Sequence, residues 1–209
     1  NDWIKSLNVP CDASAVIDLL ANESFGQMDV VRVKSVGGKV RYLANGFGTG
    51  FDSHVCKRVN MLKESGFRSK MIYLNALRHT ILHLKPISIL VNVDGKEFFN
   101  GRAWSIAIGN GRYSGSGMRQ VPLALPDDGY IDLMIVPEVS ITTIFRQIPR
   151  LFNGTLNESK EVLMTRCKSI TIAPMDQTSQ DIIEIDGEIE GRLPVTVEIT
   201  GQKISVIKG

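Results

Sequence analysis

The sequence predicts an α+β domain whose strands pair mainly antiparallel. Helical patterns lie between the early strands, and a run of short apolar strands closes the chain. That order favours antiparallel pairing over a doubly wound parallel sheet, in which strands and helices alternate throughout. With 209 residues, of which 43% are hydrophobic, the chain can bury one core.

Composition narrows the classes of protein to which the chain can belong. A net charge of +2 gives no reason to expect a nucleic acid as partner. No apolar run reaches the roughly 18 residues of a spanning helix, so we expect no transmembrane segment. Cys11, Cys56 and Cys167 form no CxxC pair, which indicates a reducing, cytoplasmic compartment. The chain begins at Asn1 without a methionine, so we expect a piece of a longer protein.

The first third of the chain reads as a helix, a hairpin and two further helices. Asp12 can cap a helix that runs to Asn22. The alternating stretches 28–36 and 39–44 flank a Gly-Gly pair, which favours a tight turn. A glycine-rich loop, 45–51, then leads into helices from Asp52 to Glu64 and from Ser69 to Leu84. Their basic residues form either a solvated face or a surface that approaches anionic lipid: Lys57, Arg58, Lys63, Arg68, Lys70 and Arg78.

The remainder is rich in strands. Segments 87–93 and 97–108 pair across Asp94-Gly95, and 141–152 has a helical period interrupted near Pro149. The last strands are expected at Ile170–Ala173, Ile182–Ile185, Val195–Thr200 and Ile204–Ile207.

The stretch from Gly101 to Val136 is the first place to look for chemistry, because two apolar strands there hold a glycine-dense loop. That loop is no dinucleotide fingerprint. Its glycines are spaced GxGxxxG, and Pro122 and Pro126 prevent the helix that a Rossmann loop must open. The loop either lets backbone approach a ligand closely or serves turn geometry alone.

Three Asp-Gly pairs mark turns, at residues 94–95, 128–129 and 186–187, and such a pair alone indicates only a hairpin. Two of them carry additional acids. Asp127 precedes the second pair, and a carboxylate with turn carbonyls suits Mg²⁺. Glu188 follows the third pair, where it could act as the base for a hydroxyl nucleophile. His79 and His83 have zinc-like spacing, but they lack the glutamate of HExxH and an evident third ligand.

Five segments in order resemble the soluble bacterial diacylglycerol kinase and lipid kinase family, to which sphingosine kinases are related. NGxxxGxGM is followed by PxAxxxDDGxID and a late DGE, while NGFGTGFDSHV and the opening NDWIKSLNVP match two earlier family segments. These lie at residues 110–118, 122–132, 186–188, 45–55 and 1–10. The family's GGDGT nucleotide signature is absent, and we expect it upstream in a separate ATP-binding domain.

The resemblance implies a β-sandwich-like domain with its active site in a cleft beside that nucleotide domain. Residues 1–24 would end the nucleotide-domain motif and connect it to a substrate-side catalytic domain, 25–209. The implied activity is an ATP- and Mg²⁺-dependent phosphorylation of a lipid hydroxyl, such as that of diacylglycerol, by a cytoplasmic enzyme working at the membrane surface.

The resemblance also implies roles for individual residues. Glu188 would be the general base, and Asp2 would join its water-linked network, although Asp2 could equally be an acid that caps a helix. Asp128 would hold Mg²⁺ together with the carbonyls of Leu125 and Tyr130. ATP would be bound mainly by the missing domain.

Two other readings remain open. A related enzyme of the NAD kinase type shares the architecture, although the order of DDG and DGE favours the lipid branch. A non-catalytic β-sandwich module that binds lipid or protein would not need Glu188. The sequence does not identify the lipid, and it does not decide between a monomer and a homodimer.

Overall fold

A computed structural model describes residues 2–66, 71–115, 117–176 and 181–209. Its helices are α1 (Asp2–Ser6), α2 (Ala13–Ala21), α3 (Phe51–Glu64), α4 (Met71–His83) and α5 (Ile141–Asn153). Its strands are β1 (Phe25–Ser35), β2 (Val40–Leu43), β3 (Gly46–Gly50), β4 (Ile87–Val93), β5 (Lys96–Gly109), β6 (Ile131–Pro137), β7 (Leu163–Cys167), β8 (Ser169–Pro174), β9 (Ile182–Ile185), β10 (Glu188–Arg192) and β11 (Val195–Ile207).

The described strands form one sheet in which every pairing is antiparallel, so the predicted fold class is confirmed. The strand order is β10-β9-β3-β5-β4-β8-β11-β1-β2, with β6 and β7 branching from β5. The sheet curls until its two outer strands meet. Glu190 of β10 accepts from Arg41 Nε at 3.0 Å, on the other outer strand, β2, and from Lys39 Nζ at 2.7 Å, just before that strand.

The core lies inside this curl, and β5 and β6 are buried on both faces. Ile106 and Ile108 of β5 point into the main core with alternate residues of β6. Ala107 and Met134 point the other way, into a second apolar layer. Burial on both faces explains why these strands read as continuous apolar runs instead of alternating ones.

The glycine-rich segment 45–51 is a strand, not the loop that the sequence predicts. β3 lies between β5 and β9, with Phe47 in the core. Its glycines leave the opposite face of the strand without side chains. A Cβ at Gly48 would lie 2.8 Å from the Asp52 Cβ and 2.9 Å from Glu184 Oε1. Glycine here makes room for two acidic side chains, which turn composition alone does not reveal.

Two boundaries also differ from expectation. α5 runs through Pro149 without interruption, capped by Ser140 and by Gly154 in the left-handed region. The proline removes only the N–H that would bond the Phe145 carbonyl, and both residues are exposed. β11 is one strand where the sequence predicts two, because a bulge in β11 opposite Val30 lets β1 follow it past Gly201.

β7 and β10 are not predicted from the sequence at all. Each is only five residues long. β10 is largely exposed and β7 has an irregular burial pattern, so neither carries a strong apolar alternation. β10 matters most here, because it begins at Glu188.

The first residues pack onto the end of the chain. Leu7 is 1% exposed, and its carbonyl accepts from the Gly209 N–H at 3.1 Å. Asp12 caps α2, as predicted, by accepting from the Ala15 N–H at 2.9 Å. None of the helices in the described ranges is long and apolar enough to cross a membrane.

Candidate active site

An apolar cavity of about 520 Å³ lies between the outer face of β5–β6 and helices α3, α4 and α5. Its volume falls within the range of small-molecule sites. Each helix contributes a stripe of aliphatic side chains, and the sheet contributes Trp104 and Met134. The apolar lining includes Phe51, Val55, Val59, Leu77, Ile81, Trp104, Met118, Met134, Val136, Ile144, Ile148, Leu151, Leu156 and Val162.

Polar groups gather where the lining reaches α1, the end of α3 and the β9–β10 turn. Asp2 lies there, with one carboxylate oxygen 3.0 Å from Lys5 Nζ. Asn60 and Lys63 come from α3, and Asp186 and Gly187 from the turn. The cavity therefore has an apolar body and a charged rim.

Asp52, in the first turn of α3, projects into the cavity beneath this rim. Its carboxylate accepts hydrogen bonds from the Ser105 hydroxyl and the Gln120 side-chain amide. Gln120 is held in turn by Ser114, whose hydroxyl lies 2.7 Å from Gln120 Oε1. Burial raises the pKa of Asp52 to about 6, against the opposing effect of the two hydrogen bonds.

Glu184, in the middle of β9, is the second acid in the cavity. Neighbouring Ile183 and Ile185 point into the core, so strand alternation sends Glu184 to the cavity face. Burial raises the pKa of Glu184 to about 8, with a smaller contribution from the charge of Asp52. The Gly187 N–H donates to Glu184 Oε2 at 2.8 Å and opposes this rise.

Sequence reasoning did not select Asp52 or Glu184 as site residues. The signal for Glu184 was its position between two isoleucines of a short strand. That signal is informative only with the knowledge that β3 pairs with β9 and that the glycines of β3 leave room for the Glu184 side chain. Asp52 lies within segment 45–55, which resembles the family, but the sequence pattern predicts for it only the start of a helix.

The β9–β10 turn is anchored from both sides. Asp186 accepts from the N–H groups of Ala44, Asn45 and Gly46 at 2.8–2.9 Å. On the other side, the Gly187 carbonyl accepts from Cys56 Sγ at 2.9 Å and Asn60 Nδ2 at 3.2 Å. The turn is thereby locked against β3 and α3.

This anchoring fixes the backbone at Glu188. Glu188 is exposed, opens β10 opposite Ile185, and lies outside the cavity lining. It is close enough to α3 that its charge, after burial and the charge of Glu184, helps to raise the pKa of the Cys56 thiol to about 12. Of the two predicted catalytic residues, Asp2 therefore lines the cavity, and Glu188 follows the rim residue Gly187.

The predicted metal ligands lie at a separate turn, outside the cavity lining. Asp128 forms an ion pair with Arg166 and also accepts from the Tyr130 N–H at 3.0 Å. Leu125 and Tyr130 are 37% and 41% exposed. One carboxylate and two carbonyls are hard oxygen donors that suit Mg²⁺, which completes its shell with water. The donor types fit the metal, but Arg166 competes for the carboxylate.

Other charges surround that turn. Lys208 Nζ lies 2.5 Å from Asp127 Oδ2, and buried Asp29 accepts from the Gly129 N–H at 2.7 Å. Burial raises the pKa of Asp132 to about 6, although nearby Arg166 lowers it. Within the described ranges, no three or more His, Cys, Asp or Glu side chains form a group that could hold a metal.

The remaining candidates from the sequence are two histidines and the basic residues of helices α3 and α4. His79 and His83 stack with ring centroids 4.3 Å apart, and His83 Nδ1 lies 2.8 Å from the His79 carbonyl, an arrangement within one helix. Of the basic residues on α3, Lys57 and Lys63 are both exposed, and only Lys63 of these two also lines the cavity. Arg68 and Lys70 lie outside the described residues.

Comparison with known families gives one family match. Residues 46–208 match the YegS C-terminal NAD kinase beta sandwich-like domain. The match covers the whole of the sheet apart from β1 and β2, and it covers the cavity helices α3, α4 and α5 but not α1, whose Asp2 also lines the cavity.

Individual relatives extend the match across the chain. A diacylglycerol kinase of Mycobacterium tuberculosis is 24% identical over 209 residues, which is 100% of this chain and 66% of that protein. A diacylglycerol kinase of Staphylococcus saprophyticus is 23% identical over 194 residues, 93% of this chain and 60% of that protein. The chain thus spans about two thirds of the length of these relatives.

A solved structure of a diacylglycerol kinase from Bacillus anthracis has a similar fold. It superposes with a TM-score of 0.67 at 19% identity, covering 100% of this chain and 63% of that one. At this identity the likeness concerns the fold alone.

Proposed function

Because the chain belongs to the family of the YegS C-terminal NAD kinase beta sandwich-like domain, we propose that it is the substrate-side part of a lipid kinase. The proposed reaction transfers the γ-phosphoryl group of ATP to the hydroxyl of a lipid such as diacylglycerol. Relatives named diacylglycerol kinase support this reaction, and their greater length supports a further domain that binds ATP.

The observation that carries the proposal is an apolar cavity with acids at one end. A lipid alcohol has the complementary shape, with hydrocarbon at one end and a hydroxyl at the other. Hydrocarbon in the aliphatic body of the cavity would direct the hydroxyl towards Asp2, Asp186 and Gly187 at the rim.

Glu188 is proposed as the base because it is exposed beside that rim on a fixed turn. A carboxylate at this point can take the hydroxyl proton as the lipid oxygen attacks the γ-phosphorus. The bond from phosphorus to the bridging oxygen then breaks, and ADP leaves. Asp186 positions the turn, and Lys63 supplies a positive charge at the rim for the transferring phosphoryl group.

Mg²⁺, when bound, would neutralise charge on the phosphates, and we propose that Asp128 with the Leu125 and Tyr130 carbonyls would hold it. The chain's contribution there is a rigid turn. The Gly129 N–H donates to buried Asp29, which keeps the carbonyls and carboxylate of the turn in register.

Asp52 and Glu184 have a different role in this proposal, because they lie inside the cavity. A protonated carboxyl donates a hydrogen bond, and an ionised one accepts. Together they can hold a second polar group of the lipid below the reacting hydroxyl, which would orient the substrate.

The test compares three glutamates of one hairpin in the full-length protein. Glu188→Gln should lower kcat by about 10²–10⁴-fold with little change in ATP binding. Glu184→Gln should act mainly on KM for the lipid, since Glu184 contacts substrate and not the reacting oxygen. Glu190→Gln is the matched control, because its partners are Lys39 and Arg41 at the sheet edge.

Equal kcat losses at all three positions would contradict a specific base at Glu188. A larger kcat loss for Glu184→Gln than for Glu188→Gln would move the base into the cavity. Phosphorylation of NAD in preference to every lipid alcohol would replace the proposed function by that of an NAD kinase.

The 209-residue chain alone should show no kinase activity, because it contains no GGDGT segment to cradle phosphates. The measurement is ATP-dependent phosphorylation of diacylglycerol in detergent micelles. Activity of the purified chain would refute the assignment of ATP to another domain. Lipid binding without any activity in the full-length protein would favour a binding module.

A further inference from the structure

Helix α5 has more apolar surface than its packing in the protein uses. At about 100° per residue, its seven apolar side chains, counting the exposed Pro149, span an arc of about 160°, where a helix packed on one side needs about 100°. Ile144, Ile148 and Leu151 use one half of the arc, against Leu77, Ile81 and Met118. The other half faces outwards.

The outer half forms a strip of three side chains, Ile141, Phe145 and Phe152, which are 43%, 48% and 54% exposed. Arg146 and Arg150 follow it around the helix, and Arg146 is exposed. No residue of α5 is fully buried. An apolar strip bordered by arginines is the pattern of a helix that lies in a lipid–water boundary.

The position of α5 connects this strip to the cavity. Ile144, Gln147, Ile148 and Leu151 line the cavity from the inner side of the same helix. One helix thickness therefore separates the outer strip from the proposed lipid site. On the adjoining helix α4, Leu82 is 59% exposed and follows Ile81, which packs against α5.

We propose that α5 is the surface through which the protein rests on an anionic bilayer, an inference that builds on the proposed function. Ile141, Phe145 and Phe152 enter the boundary between headgroups and acyl chains, and Arg146 lies at the level of the lipid phosphates. The cavity then opens beside the membrane that supplies its ligand.

A second copy of the chain fits the strip less well. The strip offers on the order of 300 Å² of apolar surface, whereas a stable protein interface buries about 800 Å² on each partner. Insertion into a bilayer requires no such complementary area, because contributions from single side chains add directly.

The first experiment measures sedimentation of the chain with vesicles of phosphatidylcholine and about one third phosphatidylserine at low salt. Phe145→Ser with Phe152→Ser should weaken binding by about tenfold or more, since two half-exposed aromatic side chains lose their insertion. Phe25→Ser is the matched control, because Phe25 is 55% exposed on β1, and should bind as wild type. Arg146→Gln should weaken binding by about fivefold, and added salt should remove that difference.

A second measurement reports insertion directly. Phe145→Trp should give fluorescence that brominated lipids quench beyond the quenching of the native tryptophans, and Phe25→Trp should not. Equal urea midpoints for all variants would show that the serine substitutions leave the fold intact.

Several results would overturn the proposal. One is wild-type protein that does not bind the vesicles. Another is a double serine variant that binds as well as wild type. A third is a loss of binding that occurs only when Lys57, Arg58 and Lys63 are neutralised. A wild-type dimer in ultracentrifugation that the double variant abolishes would assign the strip to a second copy instead.

Activity separates this inference from the proposed function. In the full-length protein, the double serine variant should phosphorylate a dispersed short-chain diacylglycerol normally and lose activity only on bilayer substrate. If no lipid alcohol is phosphorylated while vesicle binding still depends on α5, the kinase assignment fails and the membrane surface stands.

Discussion

Two hairpins of this protein share the same turn and differ in what surrounds it. Asp94 and Asp186 both take positive φ, 49° and 51°, and both precede a glycine. Each side chain accepts N–H groups of a neighbouring segment: Asp94 from Lys168 and Ser169, Asp186 from three residues at the start of β3. The aspartate therefore has the same structural role in both hairpins.

The difference lies in the flanking positions. After the glycine, β5 begins with Lys96 and β10 with Glu188, both exposed. Two residues before the aspartate stand Asn92 in one hairpin and Glu184 in the other, and only the second faces the cavity. An Asp-Gly turn thus marks a rigid point of the chain, and the acids beside it decide whether that point carries chemistry.

The largest expected difference between the hairpins is in the pH dependence of stability. Between about 4.5, its ordinary value, and about 8, its pKa in the fold, Glu184 keeps a proton that the unfolded chain releases. Wild-type stability should therefore fall as pH rises through this window, by on the order of a few kcal/mol. Urea unfolding of Glu184→Gln should show a flatter profile between about pH 6 and 8, above the range in which Asp52 and Asp132 release their protons, and adding Asn92→Asp to that variant should not restore the wild-type slope.

Removal of the aspartates should have the next largest effect. Asp186→Ala loses three N–H contacts and places alanine at positive φ, so we expect about 2 kcal/mol of destabilisation. Asp94→Ala should lose a similar amount, and Asp186→Asn less, since asparagine tolerates this backbone. Calorimetric melting checks the stability. Lipid binding should suffer only in the Asp186 variants, and a loss with Asp94→Ala would mean that general destabilisation is responsible.

At the third Asp-Gly turn, substitution of Asp128 should change the affinity for Mg²⁺ more than it changes the stability of the fold. Asp128→Asn removes an exposed ion pair with Arg166, for which about 1 kcal/mol or less is expected. Its Mg²⁺ affinity by titration calorimetry should fall, whereas Arg166→Gln should raise Mg²⁺ affinity by removing the competing cation. Unchanged affinity in both variants would remove this turn as the metal site.

The smallest effect is expected at Glu190. Its bonds to Lys39 and Arg41 connect β10 to the other edge of the sheet, but both basic side chains are about half exposed, so the bonds are screened by salt. Glu190→Gln should leave the urea midpoint within error at high salt. A marked loss there would mean that contact between the sheet edges, and not the core, holds the curl.

Much of the fold was predictable from local pattern. The β4–β5 hairpin, the helix after Asp12 and the buried run from Trp104 to Ile108 all carry strong periodicity or turn chemistry, and each is confirmed. The family resemblance is confirmed as well. β3 was mistaken for a loop because glycine usually marks turns, while here it marks close approach between a strand and two acids.

The site was only partly predictable. The order of the motifs selected Asp2 and Glu188. Asp2 lines the cavity at its rim, and Glu188 follows the rim residue Gly187. Their catalytic roles remain predictions. Glu184 and Asp52 could not be selected, because β9 and α3 are far apart in sequence and the two acids come together only in the fold, beside Gly48. Their raised pKa values arise from burial, which no local pattern encodes.

What the sequence determined by itself was most of the elements, though not β3, β7 or β10, together with the antiparallel pairing and the identity of the turns, because periodicity and positive-φ residues act over a few neighbouring positions. The tertiary structure alone decided which acids are buried, which cations compete for Asp128, and which side of α5 faces outwards. Those properties depend on residues far apart in the chain, 38 positions for Asp128 and Arg166 and 141 for Asn45 and Asp186, and only the curled sheet brings them into contact.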